Sequence, residues 1–235
     1  MKFAVFDIDG TLIRWQLYHT VVDRLAKQKF LGAKADHELH DARMKWKRRE
    51  TNEGFSEYEK VLIRIFEEAV HTVPTNVFDE VTESVIEEYK DQVYTYTRDL
   101  IQTLRRKKYF LIAISGSHEE LVQRIASHYK FDVAVGSTYS RANRKFTGES
   151  YIASHHKKEI LEDLISYYNL NMSDSYAVGD SLSDAPMLEM AENPVAFNPD
   201  KKLFDHAKQH HWHIVIERKN VIYTLQYKDD TYVLA

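Results

Sequence analysis

The chain is expected to fold as an α/β protein: a doubly wound parallel sheet with an all-helical segment inserted after the first strand. Three observations carry this expectation. From about residue 95 onward, short apolar runs of strand length alternate with amphipathic helical stretches. The first apolar run, Lys2-Phe3-Ala4-Val5-Phe6, is nearly continuous in hydrophobicity, as in a strand buried on both faces. Between that run and the alternation lie roughly 75 residues with helical periodicity and no convincing strand, far longer than an ordinary connection. The expected division is a core of residues 1–14 and 95–235 and a helical insertion over 15–94.

Each element has its own reason. A first strand over 2–8 runs into Gly10 and Thr11, which turn the chain. In the helical block, Leu17, Val21, Val22 and Leu25 share one face; so do Tyr58, Leu62, Ile65 and Phe66, and Val77, Val81, Val85 and Tyr89. Ser56 three residues before Glu59 has the form of a capping box. Helices are expected over 97–107, 119–129, 157–168, 184–191 and 200–210, and strands over 109–114, 131–135, 176–178, 194–197 and 212–216. Residues 138–151 are polar around Gly148 and read as a hairpin, and 223–234 as a weak edge strand.

Composition removes several chemistries. The 235 residues include no Cys, which excludes disulfides, thiol nucleophiles and cysteine zinc sites. A net charge of -4 argues against bulk attraction to nucleic acid. No apolar run has the length of a bilayer span and no leader pattern precedes the first strand, so a cytoplasmic, membrane-free protein is expected. No two glycines sit two apart as in a dinucleotide fingerprint, and no Gly-Lys-Ser/Thr phosphate loop or His-Glu-x-x-His occurs.

What remains is a set of acids at strand ends. Asp7 and Asp9 lie two apart, and on a strand they would point the same way, into the region where open α/β sheets place ligands. Two like charges buried together need a counter-ion, and an all-oxygen donor set favours Mg²⁺. A second apolar strand ends in Ser115-Gly116-Ser117, and a third in Gly179-Asp180-Ser181-Leu182-Ser183-Asp184. Any one of these carboxylates alone would read as a turn or capping residue. Asp-x-Asp-Gly-Thr, a strand ending in Ser, a later Lys and Gly-Asp-x-x-x-Asp in this order are far more specific.

In this order the motifs resemble the haloacid dehalogenase superfamily, and within it the phosphoserine-phosphatase-like branch, which carries a helical cap between its first two motifs. The resemblance implies Mg²⁺-dependent hydrolysis of a small phosphorylated metabolite. Asp7 would be the nucleophile that becomes an aspartyl phosphate, and Asp9 the general acid and then base. Ser115 and Lys157 would hold the transferring phosphoryl group, with Thr11 and Gly116 beside it. Asp7, the Asp9 backbone carbonyl, Asp180 and Asp184 would bind or support the metal. The family's Lys stands four residues before an apolar helix residue, which fits Lys157 and Leu161; Lys158 would turn roughly a quarter-revolution away on a helix.

Two positions depart from the family pattern. Ser183 stands where Asn is frequent before the last acid, a change expected to tune activity. Gln16, beside the bulky Trp15, stands where phosphoserine phosphatases carry a Glu that holds the substrate ammonium. The chemistry is kept while phosphoserine itself is put in doubt. Trp15 and Gln16, with Arg43 and Arg64, are the residues expected to read the leaving group. A phosphotransferase on the same fold and an inactive binding module are the alternatives, and a monomer or homodimer is expected.

Other clusters take plainer readings. Ser117 fits a helix cap as well as a phosphate contact. His210-His211-Trp212-His213 lacks consecutive ligand spacing and reads as solvated surface. The basic run Arg43-Met44-Lys45-Trp46-Lys47-Arg48-Arg49 in an acidic chain reads as an exposed helix face.

Overall fold

The computed structural model describes residues 1–235. Its strands are β1 (Lys2–Phe6), β2 (Phe110–His118), β3 (Val133–Ala142), β4 (Lys145–Tyr151), β5 (Asn171–Gly179), β6 (Asn193–Phe197), β7 (His213–Arg218), β8 (Val221–Lys228) and β9 (Thr231–Leu234). Its helices are α1 (Leu17–Lys27), α2 (Ala35–Lys47), α3 (Gly54–Ala69), α4 (Thr75–Tyr89), α5 (Thr95–Arg106), α6 (Glu119–His128), α7 (Lys157–Tyr168), α8 (Ala185–Leu188) and α9 (Lys201–Gln209). The chain divides into two compact units, one of Met1–Trp15, Tyr89–Ser137 and Ile152–Ala235, the other of Gln16–Glu88 and Thr138–Tyr151.

The first unit is the α/β core. Its strand order is β3-β2-β1-β5-β6-β7-β8-β9. Pairing is parallel from β3 through β7 and antiparallel from β7 to β9. Phe3, Ala4, Val5 and Phe6 of β1 are fully buried, because the strand is covered on both faces. Phe3, Val5, Ile112 and Ile114 pack into one cluster with Leu161 of α7, Leu188 of α8 and Leu203 of α9. Fully burying an aliphatic or aromatic side chain of this kind contributes about 1.5–3 kcal/mol. With β2 on one side of β1 and β5 on the other, the strand order reverses at β1, which opens a crevice at the carboxyl ends of these strands.

The segment 223–234, read as one weak edge strand, is two strands. The turn between β8 and β9 is Asp229-Asp230, both in the left-handed region (φ 52° and 61°). That is the requirement of a tight hairpin turn, which Asp tolerates. Tyr232 of β9 donates to the carbonyls of Ala207 (3.0 Å) and Trp212 (2.9 Å), tying the hairpin to α9. Glu217 at the end of β7 accepts from the backbone N–H groups of Thr95 (3.1 Å) and Tyr96 (2.8 Å), and so caps α5 from a distant part of the chain.

The second unit holds α1 to α4 with a hairpin in which the far half of β3 pairs with β4, Thr138 opposite Tyr151. The hairpin thus groups with the helices, where the sequence reading placed it with the core. Leu17, Val21, Val22 and Leu25 of α1 and Tyr58, Leu62, Ile65 and Phe66 of α3 are buried. On α4 the buried face keeps Val81 and Val85 of the expected series but takes Phe78 and Ile86 in place of Val77 and Tyr89, which are half-buried. The larger Phe78, in ring contact with Phe66 and Phe146, takes the inward position. The capping box expected at Ser56–Glu59 does not form, because α3 already starts at Gly54 and Ser56 lies inside its first turn; Phe55 there makes an edge-on contact with Trp46 at 5.0 Å.

Candidate active site

β1 stops at Phe6, so Asp7 and Asp9 do not meet by strand alternation, as the sequence alone suggested. Asp7 stays tethered to the sheet, its N–H donating to the Val178 carbonyl of β5 at 3.0 Å. Beyond it the chain folds into a tight loop: the N–H groups of Leu12 and Ile13 both reach the Ile8 carbonyl at 2.9 Å, and Gly10 takes φ 80°. Asp7 and Asp9 are both buried.

Asp180 and Asp184 come from the loop after β5. Asp184 is completely buried. One of its oxygens accepts from the N–H groups of Asp180 (3.0 Å) and Ser181 (2.9 Å) and from the Ser181 hydroxyl (3.2 Å). Together with Ser181 it forms a capping box around the short 3₁₀ turn Leu182–Asp184. The side chain therefore organises its own loop and does not cap α8. Gly179 is required here: a β-carbon on it would stand 2.6 Å from the Asp184 carboxyl carbon. Ser181 was overlooked in the sequence, although Ser-x-x-Asp is a readable capping signal.

The two acidic segments meet on Lys157, the first residue of α7, which is almost entirely buried. Its ammonium donates to Asp7 Oδ1 at 2.6 Å and Asp184 Oδ1 at 2.5 Å. The neighbouring Lys158 is half exposed and pairs only loosely with Glu162 at 4.0 Å. Carboxylate oxygens of Asp7, Asp180 and Asp184 all lie within 4.8 Å of one another. Ser115 donates to Asp9 Oδ2 at 2.8 Å and accepts from the Ser117 N–H at 3.1 Å. Ser117 does not occupy the N-cap position of α6, which is His118. Thr11 is fully buried and donates to Asp180 Oδ1 at 3.3 Å. Gly116 offers its carbonyl to the Ser137 hydroxyl at 2.7 Å.

The electrostatics follow from these contacts. Burial pushes the Asp7 carboxyl up to about 7 against the pull of Lys157, and the charges of Asp184 and Asp9 push the same way. Burial, with Asp7 and Asp184 beside it, holds Asp180 well above the usual carboxylate range. For Lys157 burial works against the charge, but Asp184 and Asp7 outweigh it and the ammonium is strengthened. Carboxylates outnumber the ammonium, which leaves a concentrated negative surplus. A hard divalent cation fits such an oxygen-only set, and Asp7, Asp180 and Asp184 are the side chains placed to hold one.

Of the expected leaving-group residues, Trp15 belongs to the core unit and its carbonyl accepts from Gly10 N–H at 3.2 Å. Gln16 occupies the N-cap position of α1 without a side-chain cap, its carbonyl accepting from Thr20. Within the helical unit Arg43 pairs with Asp23 and donates to the Tyr58 hydroxyl at 2.8 Å, and Arg64 pairs with Glu38 and Glu68. Trp46 of the basic run stacks on Tyr58, ring centroids 5.7 Å apart. No helix is long and apolar enough to cross a membrane.

Comparison with known proteins agrees with this arrangement. Residues 4–189 match the haloacid dehalogenase-like hydrolase family. A phosphoserine phosphatase of Lactococcus lactis is 29% identical over 229 residues, covering 96% of this chain and 94% of that protein. One from Wolinella succinogenes is 24% identical, covering 94% and 97%. Among solved structures, a Bordetella pertussis protein of unknown function superposes with a TM-score of 0.71 at 18% identity, covering 92% of this chain and 98% of its own. A substrate-bound phosphoserine phosphatase superposes at 0.65 with 21% identity, covering 93% and 94%. At these identities the structural likenesses speak for the fold alone. The chain belongs to the haloacid dehalogenase-like hydrolase family, and within it its sequence is similar to phosphoserine phosphatases.

Proposed function

We infer that the protein hydrolyses a small phosphate monoester through a phosphorylated Asp7, with Mg²⁺ as its cofactor. The observation that carries this reading is the gathering of Asp7, Asp180 and Asp184 around Lys157, with Asp9 close by on the loop of Asp7. In the first step an Asp7 oxygen forms a bond to phosphorus as the bond from phosphorus to the alcohol oxygen breaks. Asp9 supplies the proton that the departing alkoxide takes up. In the second, Asp9 removes a proton from water, the water oxygen attacks phosphorus, and inorganic phosphate leaves with Asp7 restored. Bound Mg²⁺ would offset the carboxylate surplus and the charge on the phosphoryl oxygens.

The protein's own residues do the positioning. Lys157 holds the Asp7 carboxylate by one oxygen. Ser115 orients Asp9 in the substrate-free site; an arriving phosphoryl oxygen would take over that hydroxyl. Thr11 fixes Asp180, and the Ser181–Asp184 box fixes the loop that carries it. Selection of the leaving group is assigned to Trp15 and Gln16, which follow the Asp7–Thr11 loop in the chain. The relatives are phosphoserine phosphatases by name, but Gln16 is neutral, and a neutral amide offers little to a substrate ammonium.

The test is phosphate release from an aryl phosphate with Mg²⁺ and with a chelator. Activity should require the metal, and Asp7→Asn should lower kcat by at least about a thousandfold while the circular dichroism spectrum is kept. Turnover by the Asn variant at the wild-type rate would refute the assignment. A panel of metabolite phosphates with and without an amino group then ranks the leaving groups.

A further inference from the structure

We propose that Glu189, His206 and His210 form a second cation site, suited to Zn²⁺ or a similar borderline transition ion and separate from the acidic cluster. His206 lies in the last turn of α9 and His210 is its C-cap residue. The His210 N–H donates to the His206 carbonyl at 3.1 Å, so helical geometry persists to His210 and both rings leave the same face. The rings stack with centroids 4.3 Å apart. Both lie against the buried indole of Trp212, at 5.0 and 5.5 Å, which gives the pair a fixed wall. Glu189, at the end of α8, completes the group: its Oε1 is 3.0 Å from His206 Nε2. A ligand atom from each of the three residues lies within 4.8 Å of the other two.

The donor chemistry sets the class of ion. Two imidazoles and one carboxylate are the ligand set of open zinc sites, and imidazole suits Zn²⁺, Cu²⁺ and Ni²⁺. Mg²⁺ prefers oxygen alone, so the acidic cluster and this trio would sort the two kinds of ion between them. The location adds a consequence. Glu189 follows α8, which begins directly after Asp184, while the N–H of Asp200, the N-cap of α9, donates to the Asp180 carbonyl at 2.8 Å. An ion shared by Glu189 and α9 joins a segment that follows the Asp180–Asp184 loop to a helix whose N-cap is hydrogen-bonded to that loop, and it stabilises the folded core by mass action.

The consecutive run of 210–213 hides the pair. His211 stacks on Tyr227 at 3.6 Å instead, and the partner of His210 lies one helical turn before it.

The test uses the full chain in excess Mg²⁺, which keeps the acidic cluster supplied, and titrates Zn²⁺ by calorimetry. Wild type is expected to bind one equivalent in the micromolar range or tighter and to melt higher with it. His206→Gln/His210→Gln should lose that equivalent, and Glu189→Gln should weaken it about tenfold. With Cu²⁺ as the probe, electron paramagnetic resonance should show coupling to two imidazole nitrogens, lost in the double variant. Phosphate release without added zinc should stay at the wild-type rate in all variants, which shows that they fold. Retention of the full Zn²⁺ stoichiometry by the double His variant would overturn the site, as would a wild type that binds no Zn²⁺ below millimolar concentration.

Discussion

Two sequestered cations, one in each unit, sit beside carboxylates and play opposite parts. In the helical unit, Arg43 faces the single carboxylate of Asp23 and the hydroxyl of Tyr58, whose ring lies under its guanidinium at 5.3 Å. Charge is matched one to one, and the leftover donors meet a neutral acceptor. In the core, Lys157 faces both Asp7 and Asp184, with Asp180 beside them. There the charges do not balance. A balanced pair is what a folded chain needs for stability, whereas a buried surplus costs stability and persists where a ligand is to relieve it. The stoichiometry of charge, more than burial itself, separates the candidate catalytic cluster from the balanced pair.

The largest effect expected from this contrast is at Lys157. Lys157→Met leaves Asp7 and Asp184 buried without their cation and should cost about 3–5 kcal/mol in urea unfolding with a chelator present. Added Mg²⁺ should recover part of that loss. An equal loss with and without Mg²⁺ would show that the cluster does not bind the metal.

A smaller effect of opposite sign is expected at Asp180. The Asp180→Asn variant removes one charge from the surplus, so the metal-free variant should be more stable than wild type by about 1 kcal/mol, a modest figure because the residue is partly exposed to water. The pH dependence gives the sign. The folded carboxyl titrates well above its ordinary 3.8, so in wild type its ionisation costs stability as pH rises above that value. The gap between variant and wild type should therefore widen from pH 4 upward in chelator, by differential scanning calorimetry, and close or reverse in Mg²⁺. A variant that melts lower than wild type at neutral pH without metal would remove the idea of a surplus.

The smallest effect is expected in the helical unit. Arg43→Gln breaks a matched, partly hydrated pair and should cost about 1 kcal/mol, independent of Mg²⁺. Turnover of a small aryl phosphate should remain within about twofold, since the Arg43 guanidinium is engaged by Asp23 and Tyr58. Mg²⁺-dependent rescue of this variant would erase the distinction between the two clusters.

Much of the core could be read from the chain because its signals are local. The fully apolar β1, the 3.6-residue periodicity of α7 and the placing of acids after apolar strands depend on neighbours in sequence. The elements that were misread depend on distant partners. On α4, Phe78 replaces Val77 on the inward face, where it meets rings on α3 and β4; the last strands are an exception, paired by a local turn whose left-handed residues are Asp rather than Gly.

The sequence by itself determined the fold class, the family likeness and the identities of Asp7, Asp9, Ser115, Asp180 and Asp184 as a group, because order along the chain and strand-end position are one-dimensional properties. Tertiary structure alone decided that the Lys157 ammonium, favoured over Lys158 by its spacing, bridges Asp7 and Asp184, and that Glu189 joins the face of α9 that carries His206. Each of those outcomes turns on a rotation of about 100° per helical residue or on a contact between segments far apart in the chain, and neither is written in any local stretch of residues.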